Sequence, residues 1–247
     1  MEHEDVLKRA RDLARRCEQR SVVTNTGFLT PAERYAVEHD PALRAARLLF
    51  HGGYPEAERS IAFFLPDWME PDALELSEYI CALRLTAFFG EPGHRDYMGA
   101  ILGMGVGREW VGDILVDGPE AIALCQPSVL RHLLSIEKVG RYGVKAGQIA
   151  LADIPVRERK AEERRFTVMS PRLDAAAAGL FHLSRSETAR QIALGVLCLN
   201  YAPCLKPDAQ VTEGDVLSLR GAGKGRIVEI GGSSRKGRLF ITAELYK

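Results

Sequence analysis

The sequence lacks any long hydrophobic run. No stretch approaches the roughly 18 consecutive apolar residues that a membrane span requires, and the N-terminal segment MEHEDVLKRARDLARR has no apolar core of the signal-peptide type. Cysteine is also scarce: the five cysteines are odd in number, widely scattered and never arranged as CxxC. This pattern is typical of buried free thiols in a reducing compartment, so we expect a cytoplasmic protein.

Motifs that would commit the chain to catalysis are missing as well. We find no GxSxG, no GxxxxGK[ST] and no GxGxxG, since the segment ILGMGVG has GxGxG spacing and follows a helical pattern. The six histidines show neither HxxxH nor HxH spacing, and no Cys/His cluster accompanies them. We therefore expect a protein that is not an enzyme and has no catalytic residue, metal or cofactor.

The pattern of apolar residues predicts an α+β protein with three parts. Residues 1–60 are predicted to be an N-terminal helical unit, with a helix over 4–17, a capping box at Thr30–Glu33 and a further helix from Asp40 through Leu49. Residues 61–160 are predicted to form an α+β, RRM-like domain of the RNA-binding type. Its elements are the strands IAFFLPDW, YICALRLTAF, GDILVDG and AIALCQ, a last strand near 148–154, and helices from His94 and Pro127.

The distribution of charge separates the two ends of the chain. The formal net charge is zero, yet residues 164–247 contain thirteen lysines and arginines against seven acidic residues, which leaves about +6 there and about −6 in the remainder. The segment Val156–Arg165 is almost entirely charged and is predicted to be a linker or an exposed strand before a final domain over 165–247. Such a separation of charge is often found where one half of a chain binds an anionic partner.

Two short amphipathic segments open this basic region. Ser170 and Pro171 are predicted to be the N-cap and first residue of a helix over RLDAAAAGLF, with Leu173, Ala176, Ala177 and Leu180 on its apolar face. A second capping box at Ser184–Glu187 opens a helix predicted to bury Ala189, Ile192, Ala193 and Val196, and Gly195 stops it. Short strands follow, so two helices are expected on a small sheet. A helix N-terminus offers backbone N–H groups to phosphate, and nearby arginines add donors.

This order of elements resembles the S-four RNA-binding domain, named after ribosomal small-subunit protein four. The matching residues are Arg172-Leu173-Asp174, Ser184-Arg185-Ser186, Ala189, Gly195, Val196, Asn200 and Gly214-Asp215. One departure is that Tyr201-Ala202-Pro203 follows Asn200 where an NG turn is common in such domains.

A wider resemblance covers roughly residues 28–240. The segments FLTPAERY, GGYPEAER, HRDYMGAILGMGVGREWVGDI and RGAGKGRI together with GGSSRKGRLF are similar to the YlmH family, bacterial S-four proteins associated with the cell-division gene cluster. The resemblance implies a non-enzymatic protein that binds rRNA and tRNA and associates with large ribosomal subunits still holding a peptidyl-tRNA after stalling.

We expect structured RNA to contact one positive surface, largely through its shape and backbone. The candidate residues of the basic region are Arg172, Arg185, Ser186, Arg190, Lys206, Lys224, Arg226, Arg235, Lys236 and Arg238. Arg95 and Arg108 are candidates for a second RNA contact in the middle domain. Two alternatives stay open: a protein-interaction factor of the division machinery, and an accessory to RNA modification.

Overall fold

The computed structural model describes residues 3–55, 57–155, 161–233 and 237–246. The chain divides into two compact units, residues 1–156 and residues 157–247. Both units combine helices with antiparallel sheets, so the predicted α+β class is confirmed. Within the described ranges, no helix is both long enough and apolar enough to cross a membrane.

The first unit opens with helices packed on a three-stranded sheet. Its elements are α1 (Glu4–Arg20), β1 (Thr24–Leu29), α2 (Pro31–Glu38), a 3-10 turn (Pro41–Leu43), β2 (Arg47–His51) and β3 (Ser60–Leu65). The sheet order is β1–β3–β2. The predicted capping box opens α2, because the Glu33 amide donates to Thr30 Oγ1 at 3.3 Å and the Thr30 amide donates to Glu33 Oε2 at 2.7 Å.

The prediction of a wholly helical unit over residues 1–60 is wrong. Asp40 caps only the 3-10 turn, with its side chain accepting from the Ala42 amide at 3.0 Å. The residues expected to continue that helix through Leu49 instead pair with β3, from Arg47 opposite Leu65 to His51 opposite Ile61. Pairing with a distant strand has overridden the local helical preference, and β1 was not anticipated at all.

A five-stranded antiparallel sheet completes the first unit. Its elements are β4 (Cys81–Ala87), α3 (His94–Gly103), β5 (Val111–Asp117), β6 (Glu120–Cys125), α4 (Pro127–Leu133), β7 (Lys138–Val139) and β8 (Tyr142–Ile149). The sheet order is β5–β6–β4–β8–β7. It contains two β–α–β units, β4–α3–β5 and β6–α4–β8, and the two strands of each unit are separated in the sheet by one strand of the other unit. Two predictions were inaccurate: IAFFL is a strand of the other sheet, and the last strand ends at Ile149 because Leu151–Asp153 form a 3-10 turn.

The two sheets of the first unit pack face to face. On β3, Ala62 and Phe64 pack with the helices α1 and α2, whereas Ile61 and Phe63 pack with Ala82 and other residues of the five-stranded sheet. Every residue of β3 is therefore buried, which explains why the strand is apolar from residue 61 to residue 65 and does not alternate. The far face of the five-stranded sheet is covered by α3 and α4.

The second unit carries one six-stranded antiparallel sheet and two helices. Its elements are β9 (Ala161–Val168), α5 (Leu173–Phe181), α6 (Arg185–Ala193), β10 (Leu197–Leu199), β11 (Ala202–Pro203), β12 (Val216–Leu219), β13 (Gly223–Ser233) and β14 (Leu239–Tyr246). The sheet order is β11–β10–β12–β13–β14–β9. The charged segment, predicted to be a linker or an exposed strand, forms the edge strand β9 from Ala161, so the second unit begins before the expected domain boundary at 165. Residues 156–160 lie outside the described ranges.

We predict that alkylation will separate the five thiols. Cys17, Cys81 and Cys125 are buried, and burial raises the pKa of each, that of Cys125 to about 12. Because only the thiolate reacts, iodoacetamide at about pH 8 should modify Cys198 and Cys204 alone in the folded protein and all five in urea. Peptide mass spectrometry checks this, and alkylation of folded Cys125 would contradict the described packing.

We also predict that the buried Arg59 is essential to the first unit. Its guanidinium donates to the carbonyls of Phe28 at 2.9 Å, Val111 at 3.0 Å and Arg108 at 3.0 Å, which join β1 to the start of β5. Arg59→Met leaves these carbonyls without their donor and should lower the free energy of unfolding by about 2–4 kcal/mol.

The control for Arg59 is Arg15→Met, which removes an exposed ion pair with Asp12 and should cost below about 0.5 kcal/mol. Both tryptophans, Trp68 and Trp110, belong to the first unit, so their fluorescence in urea follows this unit directly. Equal unfolding midpoints for the two variants would contradict the role assigned to Arg59.

Candidate nucleic-acid interface

Helix α5 lies directly on the sheet of the second unit. Leu173, Ala176, Ala177 and Leu180 are completely buried, as predicted. Two glycines permit the close approach: a Cβ on Gly225 would come within 2.7 Å of the Leu180 side chain, and one on Gly179 would collide with a phenylalanine ring of β9. This helix is therefore part of the core.

The start of α5 is closed to ligands. The Leu173 amide donates to the Ala209 carbonyl at 2.8 Å, the Asp174 amide to the Pro207 carbonyl at 3.0 Å, and the Ala175 amide to its neighbour Asp174 Oδ1 at 2.8 Å. The first backbone amides of this helix are therefore not available to a phosphate. The N-cap is Arg172, not Ser170. Pro171 and Arg172 are held against the 210–211 segment, because the Val211 amide donates to the Pro171 carbonyl at 2.8 Å and Arg172 forms a β-bridge with Gln210.

Arg172 forms an ion pair at this closed end. Its Nε and one terminal nitrogen donate to the two carboxylate oxygens of Asp174, each at 3.1 Å, and this hydrogen bonding raises the pKa of Arg172. The Arg172 side chain remains 42% exposed. Arg172 can still bind an anion, but two of its N–H donors are already used by Asp174.

The start of α6 is open by contrast. Ser184 is the N-cap, as predicted, and accepts from the Glu187 amide at 3.1 Å. The carboxylate of Glu187 does not return to the cap as a full capping box would, and instead contacts Gln191 and Arg190. The backbone amides of Arg185 and Ser186 make no hydrogen bond to any residue in the described ranges, so they remain available as donors.

The outer face of α6 carries the two expected arginines. Arg185 is exposed and has no ion-pair or hydrogen-bond partner among the residues described. The Arg190 side chain is 69% exposed, and its Nε lies 3.5 Å from Glu187 Oε2. Ser186 is also exposed, with its hydroxyl 3.0 Å from that of Ser184.

The burial predicted for α6 was partly wrong. Ile192 is buried, but Ala189 and Ala193 are exposed, and Thr188 takes the inner position. The Thr188 hydroxyl donates to the Ser184 carbonyl at 2.9 Å, which satisfies a polar group that the sequence pattern did not place inside. The outer face of α6 therefore consists of arginines, a serine and small alanine side chains.

The atypical turn after β10 uses Asn200 and Tyr201. Both residues have positive φ values, 49° and 69°, as a two-residue hairpin turn of type I′ requires. Asn200 is held by Asp215, whose Oδ1 accepts from Nδ2 at 2.8 Å, and by the Val216 amide, which donates to Asn200 Oδ1 at 2.9 Å. The residues Ala202 and Pro203 form β11 and do not belong to the turn.

Lys224 and Arg226 do not share a surface with α5. Gly225 between them is buried against Leu180, and neighbouring residues of a strand point to opposite faces. These two residues therefore lie on the face of the sheet that is turned away from α5. Lys224 Nζ lies 5.9 Å from the centre of the Tyr201 ring, and Arg226 is exposed opposite Glu244.

Two further candidates of the basic region, Lys206 and Arg238, lie outside the helices and strands. Lys206 is exposed in the segment that closes the start of α5. Arg238 is half-buried and donates to the Thr167 carbonyl at 3.0 Å, which fixes it to the edge strand β9. Arg235 and Lys236 lie outside the described residues.

The two candidates for a second contact lie at opposite ends of α3. Arg95 is exposed on the first turn, whereas Arg108 follows the end of this ten-residue helix, which is about 15 Å long. Arg108 is half-buried and donates to the Gly112 carbonyl at 3.3 Å, and burial lowers its pKa. The structure does not bring these arginines together.

Sequence reasoning missed an exposed aromatic pair in the first unit. Phe88 and Phe89 are 71% and 62% exposed just beyond the end of β4, although the apolar run YICALRLTAF suggested core residues. The available signal was their position directly before the turn-forming segment GEPG, where the buried strand has to stop.

Comparison with known proteins identifies the family. Residues 2–63 match the family model described as "YlmH, N-terminal", and residues 71–153 match the one described as "Putative RNA-binding domain in YlmH". The chain is 30% identical over 224 residues to the "Ribosome-associated protein quality control protein P2" of Bacillus subtilis (strain 168), covering 90% of this chain and 87% of the relative.

A solved structure supports the same fold. The "Cell division protein ylmH from Streptococcus pneumoniae" superposes with a TM-score of 0.54 at 18% identity, covering 63% of this chain and 96% of that one. The sequence similarity to the Bacillus protein extends along most of both chains, and both family models match in their expected order. The chain therefore belongs to the YlmH family.

Proposed function

We propose that the protein binds structured RNA through the outer face of α6 and acts by binding, without catalysis. The observation that carries this proposal is the difference between the two helix starts. The amides of α5 are occupied by loop carbonyls, whereas the first amides of α6 are open and lie beside the exposed Arg185. An open helix start with an adjacent arginine suits a phosphate group of an RNA backbone.

The architecture of both units is compatible with this proposal. Apart from the two-residue strand β7, the five-stranded sheet and its helices follow the β–α–β–β–α–β order of RRM-like folds. The two helices on the sheet of the second unit have the element order expected of an S-four domain. The family model for residues 71–153 is described as RNA-binding, which supports an RNA partner for this chain as well.

We further propose that the bound RNA is rRNA and tRNA on the large ribosomal subunit, in the cytoplasm. The name of the Bacillus relative, a ribosome-associated quality control protein, supports a role on ribosomes that have stalled. Folded rRNA and tRNA offer shape and backbone features, which suits a surface built from arginines and helix amides more than from base-reading side chains.

We predict that the double variant Arg185→Glu and Arg190→Glu binds a tRNA transcript about tenfold more weakly or worse. The thermal midpoint should not change. A glutamate at residue 185, the first of α6, interacts favourably with the helix dipole, and the ion pair between Arg190 and Glu187 is exposed, so its loss costs little stability. Fluorescence polarisation with labelled transcript and a thermal melt measure the two quantities.

The matched control is the pair Arg20→Glu and Arg220→Glu, which reverses two exposed arginines elsewhere. Titrations at several salt concentrations add a second readout, since each lost phosphate contact should make the dependence of log affinity on log salt shallower by about 0.7–0.9. Equal affinities for the α6 variant and the wild type would remove α6 from the interface.

A further inference from the structure

One face of the five-stranded sheet of the first unit is only partly covered. On one face of β4, Ala82 packs against the three-stranded sheet. Arg84, Thr86 and Phe88 continue the same face, because side chains alternate along a strand and its extension. Arg84 and Thr86 are partly exposed and Phe88 is strongly exposed, so the covering sheet ends before this part of the strand.

Aromatic side chains lie at this end of the strand, and we call Phe88, Phe89 and Tyr142 the aromatic edge. Phe88 continues the open face, whereas Tyr142 packs against the core on the helix-covered side of the sheet. The Phe88 amide donates to the Gly143 carbonyl at 3.0 Å, which extends the pairing of β4 with β8, and its ring lies over Gly143. The ring centres of Phe89 and Tyr142 are 5.9 Å apart. Two exposed phenylalanines held beside a strand are an unfavourable arrangement in water unless a partner covers them.

Three cationic side chains lie around the aromatic edge. Lys145 is exposed opposite Thr86 in the register, and Arg141 lies over the Tyr142 ring with Cζ 5.2 Å from its centre. Arg84 lies beside them, with Nε 4.0 Å from Glu120 Oε2. Other carboxylates are also near: Asp96 interacts electrostatically with Arg141, and the exposed Glu91 follows Phe89 by two residues. Gly147, which pairs with Arg84, leaves the neighbouring strand β8 without a side chain there, and a Cβ at this position would meet no atom within 4 Å, so a flat ring has room to approach.

We propose that the aromatic edge binds unpaired RNA nucleotides, with bases stacked on Phe88 and Phe89 and with phosphates near Lys145 and Arg141. This inference rests on the proposed RNA-binding function and adds a class of ligand, single-stranded RNA, and a second site. Exposed rings flanked by cations are the elements that bind single strands without reading their sequence. A purely apolar protein partner would not require the three flanking cations.

The test uses the full-length protein and a fluorescein-labelled octauridine as the single-stranded probe. The double variant Phe88→Ala and Phe89→Ala should bind the probe about tenfold more weakly, because both stacking surfaces are removed. Lys145→Glu, which leaves the rings in place, should also weaken binding. The control is Trp68→Ala, which removes an aromatic side chain of the same unit that is 70% exposed and distant in sequence, and should leave the affinity unchanged.

Parallel titrations with the tRNA transcript separate this inference from the proposed function. We expect the variant with alanine at residues 88 and 89 to lose affinity for octauridine. The α6 substitutions, when added to this variant, should still weaken its binding to tRNA. The inference is overturned and the proposed function stands if wild type binds tRNA but not octauridine. The same holds if the double alanine variant and Lys145→Glu both bind octauridine as tightly as wild type does. If wild type binds neither RNA, both are overturned.

Discussion

The close contact between α5 and its sheet determines the arrangement of the second unit. Gly225 and Gly179 remove the side chains that would keep the helix away, so Leu180 reaches the strand backbone. The ends of α5 are then closed by the protein itself: Arg164 donates to the Leu180 carbonyl at 2.8 Å, and loop carbonyls accept the first amides. With α5 inside, α6 is the helix whose start and outer face remain free for a ligand.

The first unit shows a related division between covered and open surface. Packing of the three-stranded sheet buries the Ala82 end of β4, and Arg59 ties β1 to the start of β5. The same packing stops short of Phe88, which leaves aromatic and basic side chains at the uncovered end. In both units, the proposed RNA contacts lie where the packing of the core ends.

The sequence predicted those features that depend on local patterns. The capping residues Thr30 and Ser184, the buried face of α5 and the strand of β3 follow from side-chain periodicity and from caps that act within four residues. The family could be predicted because its motifs extend over most of the chain.

Features that depend on distant partners could not be predicted in the same way. The strand β2 forms because Arg47–His51 meets β3, and the closure of α5 depends on carbonyls more than thirty residues away at Pro207 and Ala209. The separation of Lys224 and Arg226 from α5 depends on which face of β13 packs against the helix. A glycine between two basic residues does not indicate which face that is, so the sequence did not predict that Gly225 lies inside.

The most direct test of the account is sedimentation of the protein with ribosomes from cell lysate, at low and high salt and after ribonuclease treatment. The account predicts that the wild-type protein migrates with large subunits at low salt and is released by high salt or by ribonuclease. It also predicts that the variant with glutamate at residues 185 and 190 stays at the top of the gradient. Comigration of that variant with large subunits at the wild-type level would contradict the central role of α6.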